Sequence, residues 1–131
     1  MVLEHSKLLV VDDNPAAVQL LAKVFGDAGA EVLVARSGAE AIERAEREAP
    51  DLVVLDVMMP DKNGYEVCVE LKRRRPDLPV LFLTALDDRE HASIGRFVDA
   101  DGYLAKPVSR RALLETTRHL LEPVPEHAPG G

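Results

Sequence analysis

Leu52-Val53-Val54-Leu55-Asp56 decides how this chain is read: four consecutive apolar residues run straight into a carboxylate. A run without polar alternation is buried on both faces, the condition of a strand inside a parallel sheet that helices cover on each side. Leu8-Leu9-Val10-Val11 and Val80-Leu81-Phe82-Leu83 share that character. Glu31-Val32-Leu33-Val34 is a weaker version, and Tyr103-Leu104-Ala105 makes a short fifth. The first run also ends in carboxylates, Asp12-Asp13, and the fourth ends in the hydroxyl of Thr84.

Segments of helical spacing separate these runs. Asn14-Pro15 opens the first as an N-cap followed by proline at the first helical position. Val18, Leu21, Ala22 and Phe25 then share one face, and Gly29 is the stop. The second segment spans Ser37 to Glu48, with Ala41, Ile42 and Ala45 inward, and ends before Pro50. The third follows Gly64, gathers Val67, Cys68 and Leu71, and ends before Pro76. Asp87 to Val98 is the fourth and Ser109 to Leu121 the fifth. Strand and helix therefore alternate five times, which implies an α/β fold with right-handed crossovers and a parallel sheet between two helical layers.

A chain of 131 residues suits one domain, expected over 1–122, followed by a flexible Pro/Gly-rich tail over 123–131. Its composition, 47% hydrophobic and 30% charged, allows one proper core; with aromatics at 4%, aliphatic side chains must build it. A formal charge of -7 repels nucleic acid and anionic lipid, so neither is expected as a direct partner. The lone Cys68 excludes an internal disulfide, and no stretch has the length of a membrane span or the layout of a signal peptide. A cytoplasmic location is expected.

Ligands of open parallel sheets bind beyond the carboxyl ends of the strands. There the order of the runs gathers Asp12, Asp13, Asp56, Thr84 and, just after the fifth strand, Lys106. For any single aspartate, turn chemistry is explanation enough. The full set points to function. Three close carboxylates call for a cation, and oxygen donors without His or Cys favour Mg²⁺ or Mn²⁺ over zinc. Carboxylate nucleophile, metal, ammonium and hydroxyl are the components of phosphoryl transfer, which depends on positioning and charge neutralisation.

Four blocks of the sequence resemble the signatures of response-regulator receiver domains: Val10-Val11-Asp12-Asp13-Asn14-Pro15, Leu55-Asp56-Val57-Met58-Met59-Pro60-Asp61-Lys62-Asn63-Gly64, Leu83-Thr84-Ala85 and Gly102-Tyr103-Leu104-Ala105-Lys106-Pro107. The resemblance runs from about Lys7 to Leu121. It implies a flavodoxin-like, doubly wound five-stranded sheet of order 2-1-3-4-5, an order for which a chemotaxis receiver is itself a standard example. It also implies that Asp56 is the phosphoacceptor and that Asp12, Asp13, Asp56 and the backbone carbonyl of Met58 hold Mg²⁺. By the same resemblance Lys106 pairs with the phosphoryl group, Thr84 and Tyr103 form a switch, and the Lys106-Pro107 peptide is cis.

The implied reaction takes a phosphoryl group from a phosphohistidine on a sensor histidine kinase or histidine phosphotransfer protein. It changes the surface of the fourth helix, fifth strand and fifth helix, which a downstream protein reads. The domain is then a switch rather than an enzyme, monomeric or dimerising on phosphorylation. A phosphatase of the haloacid dehalogenase type would need a second Asp two residues after Asp56, where Met58 stands, and no glycine-rich phosphate loop supports nucleotide binding. Aspartates in place of phosphate-cradling hydroxyls weigh against flavin. The remaining alternative is a receiver-like interaction module that is not phosphorylated.

Overall fold

The computed structural model describes residues 3–57, 64–84 and 101–122. The expected fourth helix, Met58 and the tail over 123–131 lie outside the described residues. Five strands, β1 (Lys7–Val11), β2 (Glu31–Ala35), β3 (Leu52–Asp56), β4 (Val80–Thr84) and β5 (Gly102–Ala105), form one all-parallel sheet of order β2-β1-β3-β4-β5. The described helices are α1 (Pro15–Asp27), α2 (Gly38–Glu48), α3 (Gly64–Arg74) and the C-terminal α4 (Arg110–Leu121). This is the flavodoxin-like order that the family resemblance implied.

The continuous apolar runs are explained by a core on both faces of the sheet. Leu9, Val11, Val53, Leu55, Val80 and Phe82 pack on the side of α2 and α3, where Val67, Cys68 and Leu71 meet them. Their neighbours Leu8, Val10, Leu52, Val54, Leu81 and Leu83 pack on the other side with Leu21 and Phe25 of α1 and Leu113 of α4. Successive strand residues point to opposite faces, so a strand with helices on both sides has no position left for a polar side chain. Cys68 is fully buried, as a small apolar residue would be.

Helix starts follow the expected chemistry. The Asn14 side chain accepts hydrogen bonds from the N–H groups of Ala16 and Ala17, with Pro15 at the first helical position. Ser37 Oγ accepts from Glu40 N at 3.1 Å, and Glu40 reaches back to the N–H of Arg36 at 2.7 Å. Ser109 Oγ caps α4 through Ala112 N. Gly29, at φ 99°, supplies the left-handed turn after α1. Ala22 and Ile42, expected inward, are only half-buried.

Candidate functional site

The carboxyl ends of β1 and β3 lie side by side because these strands pair from Leu8 opposite Leu52 to Val11 opposite Leu55. Asp12 and Asp56 therefore emerge at the same edge. Oxygens of Asp12, Asp13 and Asp56 all lie within 4.8 Å of one another. Asp12 is buried at 2% exposure, Asp56 is half-buried and Asp13 is exposed, so the cluster has a closed floor and an open mouth.

Lys106 faces this cluster from the end of β5. Its Nζ lies 3.2 Å from Asp12 Oδ2 and 3.7 Å from Asp56 Oδ2. Burial makes the Asp12 charge costly unless it is paired, and the lysine together with a backbone amide meets that cost. The amide is the N–H of Asn14, which donates to Asp12 Oδ1 at 3.0 Å. The Lys106-Pro107 peptide is cis.

Thr84 closes β4 opposite Ala105 of β5, which brings its backbone to the same edge; its side chain lies outside the described residues. Tyr103 is opposite Phe82, with ring centroids 5.6 Å apart, and Phe82 in turn meets Tyr65 edge-on at 5.2 Å. The Tyr103 hydroxyl is shielded from solvent. Burial, followed by the neighbouring Tyr65 and Cys68, pushes its phenol above the ordinary tyrosine range. The structure thus brings Asp12, Asp13, Asp56 and Lys106 together and places the Thr84 backbone and Tyr103 on the adjoining strands.

Two groups at the site escape a reading of residue types alone. Gly64 presses on the backbone of β3: a Cβ there would lie 2.5 Å from the Asp56 carbonyl oxygen and 2.8 Å from Val57 Cα. Its N–H also donates to Val57 O at 2.6 Å. Only a glycine lets α3 begin this close to the residue that carries the central carboxylate. Asn14 likewise does more than cap α1, since its own amide fixes Asp12; the Asp-x-Asn spacing is the signal for that turn.

The donor set is all oxygen and carries three potential negative charges against one ammonium. Such a set fits a small, hard divalent cation that retains water ligands. Among the described residues this is the sole such cluster.

The profile of the response regulator receiver domain matches residues 8–118. The chain is 40% identical over 117 residues to the alkaline phosphatase synthesis transcriptional regulatory protein PhoP of Bacillus subtilis, covering 89% of this chain and 49% of that protein. It is 42% identical over 115 residues to the response regulator MprA of Mycobacterium leprae, covering 88% and 50%. The chain thus spans about half the length of the curated relatives it matches. Among solved structures, Vibrio cholerae chemotaxis protein CheY4 superposes with a TM-score of 0.84 at 32% identity, covering 88% of this chain and 98% of that one. The BeF3-activated DrrB receiver domain gives 0.82 at 35% identity, covering 90% and 98%. With the sheet order, the acidic edge and this likeness along nearly the whole chain in agreement, the protein belongs to the response-regulator receiver domain family.

Proposed function

We propose that the domain accepts a phosphoryl group on Asp56 from a phosphohistidine carried by a sensor histidine kinase or a histidine phosphotransfer protein. One observation carries this reading: three carboxylates within 4.8 Å, with an ammonium 3.2 Å from Asp12 and 3.7 Å from Asp56. A carboxylate oxygen of Asp56 forms the new P–O bond as the P–N bond to the donor imidazole breaks. The electron pair stays on the leaving nitrogen, which takes up a proton from solvent.

Asp12, Asp13 and Asp56, joined by the Met58 backbone carbonyl that the family resemblance adds, would hold Mg²⁺ or Mn²⁺, which neutralises charge on the transferring group. Asp12 is held through Oδ1 by the Asn14 amide and so presents a preset anionic wall. Lys106 exchanges its carboxylate partners for a phosphoryl oxygen, and the Thr84 hydroxyl donates to another. Movement of Thr84 opens space toward which Tyr103 turns, and the altered surface comprises the predicted helix over 87–98, β5 and α4. The active and inactive conformations both pre-exist in the unphosphorylated domain, and the new charge shifts the balance between them.

Receiver domains of response regulators are signalling switches rather than enzymes with a turnover substrate. Relatives such as PhoP are named as transcriptional regulators and are about twice as long as the matched region. By analogy the signal reaches nucleic acid through a further domain or a protein partner, while this domain, at -7 overall, makes no direct contact with it. Residues 1–122 would form the receiver and 123–131 a flexible extension. No helix among the described residues is long and apolar enough to cross a membrane. A cytoplasmic setting agrees with a cytosolic phosphodonor, and the switch would operate as a monomer or dimerise once phosphorylated.

Incubation with Mg²⁺ and a small acyl phosphate, read by intact mass, tests the proposal. The wild type should gain one phosphoryl group and Asp56→Asn none. An unmodified wild type, or equal labelling of the variant, would favour a receiver-like interaction module that is not phosphorylated.

A further inference from the structure

β5 is a four-residue strand at the edge of the sheet, with β4 as its one ladder partner among the described residues, yet it brings Tyr103 to Phe82 and Lys106 to the aspartates. A strand so short is weakly held by its ladder alone, and a slip of one residue would turn every side chain to the opposite face. Something outside the ladder must fix its register.

Asp101, immediately before β5, makes that connection. Its backbone N–H donates to Val80 O at 3.1 Å, as in an ordinary parallel ladder. The Val80 N–H, however, donates at 2.8 Å to the Asp101 side chain, where a regular ladder would offer a main-chain carbonyl. The same oxygen, Asp101 Oδ2, receives Lys72 Nζ of α3 at 2.6 Å, and that lysine side chain is only 13% exposed. Val80 is fully buried, so an amide left unpaired there would carry its whole desolvation penalty. One carboxylate therefore joins the start of β4, the last turns of α3 and the residue that leads into β5.

We propose that Asp101 is a positioning residue for Lys106, acting as a register clamp at the far end of β5 with Lys72 holding its carboxylate in place. The lysine stands five positions further along the chain, roughly 16 Å away along an extended strand. It meets Asp12 and Asp56 only while Gly102 stays opposite Leu81 and Ala105 opposite Thr84. The role rests on the proposed reading of Lys106 as the phosphoryl-pairing group. A second consequence does not: the same register holds Tyr103 against Phe82.

The experiment compares labelling by an acyl phosphate in Asp101→Ala, Lys106→Ala and the double variant, together with NMR contacts between the Tyr103 and Phe82 rings. Asp101→Ala should slow labelling by roughly 10- to 100-fold, the scale of a misplacement near 1 Å. It should have no further effect in the Lys106→Ala background. Asp101→Asn retains an acceptor for the Val80 amide and should stay within a few-fold of wild type. If the alanine chain does not fold, Asp101→Glu, which keeps the charge but moves the acceptor, takes its place with the same expectation. Equal slowing with and without Lys106, or no slowing at all, overturns the inference. Should the wild type itself resist labelling, the proposed function fails while the ring contacts still decide the clamp. Their loss or displacement in Asp101→Ala supports it, and unchanged contacts refute it.

Discussion

Replacing Gly64 with alanine adds one methyl group at the point where α3 starts against β3. That methyl would lie 2.5 Å from the Asp56 carbonyl oxygen and 2.8 Å from Val57 Cα. Ordinary contacts between such atoms are about 3.5–4.0 Å, so a separation of roughly 1 Å must open between helix and strand. Both obstructing groups are backbone, and no rotamer change relieves them. Overpacking of this kind costs about 1–3 kcal/mol. Alanine recovers up to about 1 kcal/mol in a helix interior, but less at a first position, where the backbone is not yet committed. The net expectation is a loss of about 1–2 kcal/mol from those two contributions. Because the displaced group carries Asp56, labelling should slow by more than the stability loss alone explains, toward 100-fold for a shift near 1 Å. Urea unfolding gives the first quantity through its midpoint at constant m, and intact-mass time courses give the second. Gly26→Ala is the control: a Cβ there meets nothing within 4 Å, so it should be neutral or stabilising by about 0.5–1 kcal/mol. Gly64→Ala with an unchanged midpoint and unchanged labelling would refute the steric argument.

Three further outcomes concern the acidic edge and its neighbouring strand. Mg²⁺ should raise the unfolding temperature by mass action, about 2.7 kcal/mol at a hundredfold excess over its dissociation constant. Asp13→Asn should stabilise the metal-free protein by relieving repulsion within the cluster while shrinking that increment, both read by melting curves with and without Mg²⁺. Tyr103, whose phenol is held above its ordinary value by burial, should ionise later than a free tyrosine. Because the folded value is the higher, its contribution to stability is complete below pH about 10 and is lost as pH rises beyond that through the folded value. Tyrosinate absorbance compared with Tyr103→Phe identifies the late step.

Much of this architecture was legible because burial on two faces leaves a plain mark. Leu52-Val53-Val54-Leu55 carries no alternation, and it lies between two helical layers. Asp12, Asp13, Asp56 and Lys106 could be grouped because each stands at the carboxyl end of a run read as a parallel strand, while the strand order itself came from the family resemblance. Gly64 was visible as the residue before a helix but not as a contact, because its role depends on how closely α3 approaches β3. The link from Asp101 to Lys72 and Val80 was invisible for a different reason. Its partners lie 29 and 21 residues away, and nothing in a solitary aspartate says which amide it will meet. At the end of α3, Arg74 pairs with Glu70 and Glu46, while Arg75 donates to Pro50 O at 2.7 Å.

The all-parallel pairing also bears on how the molecule forms. Lys7 pairs with Glu31, Leu8 with Leu52, Val53 with Val80 and Leu81 with Gly102, so no ladder joins near neighbours in the chain. Each pairing must close a long loop before it returns any free energy, which places such a topology among the slower folders for its size. The ladder that sets Asp12 beside Asp56 closes the longest of these, spanning 44 residues between Leu8 and Leu52. A nascent or partly collapsed chain therefore holds Asp56 far from Asp12 and Asp13, and the proposed divalent-ion site takes shape only when the central strands have met.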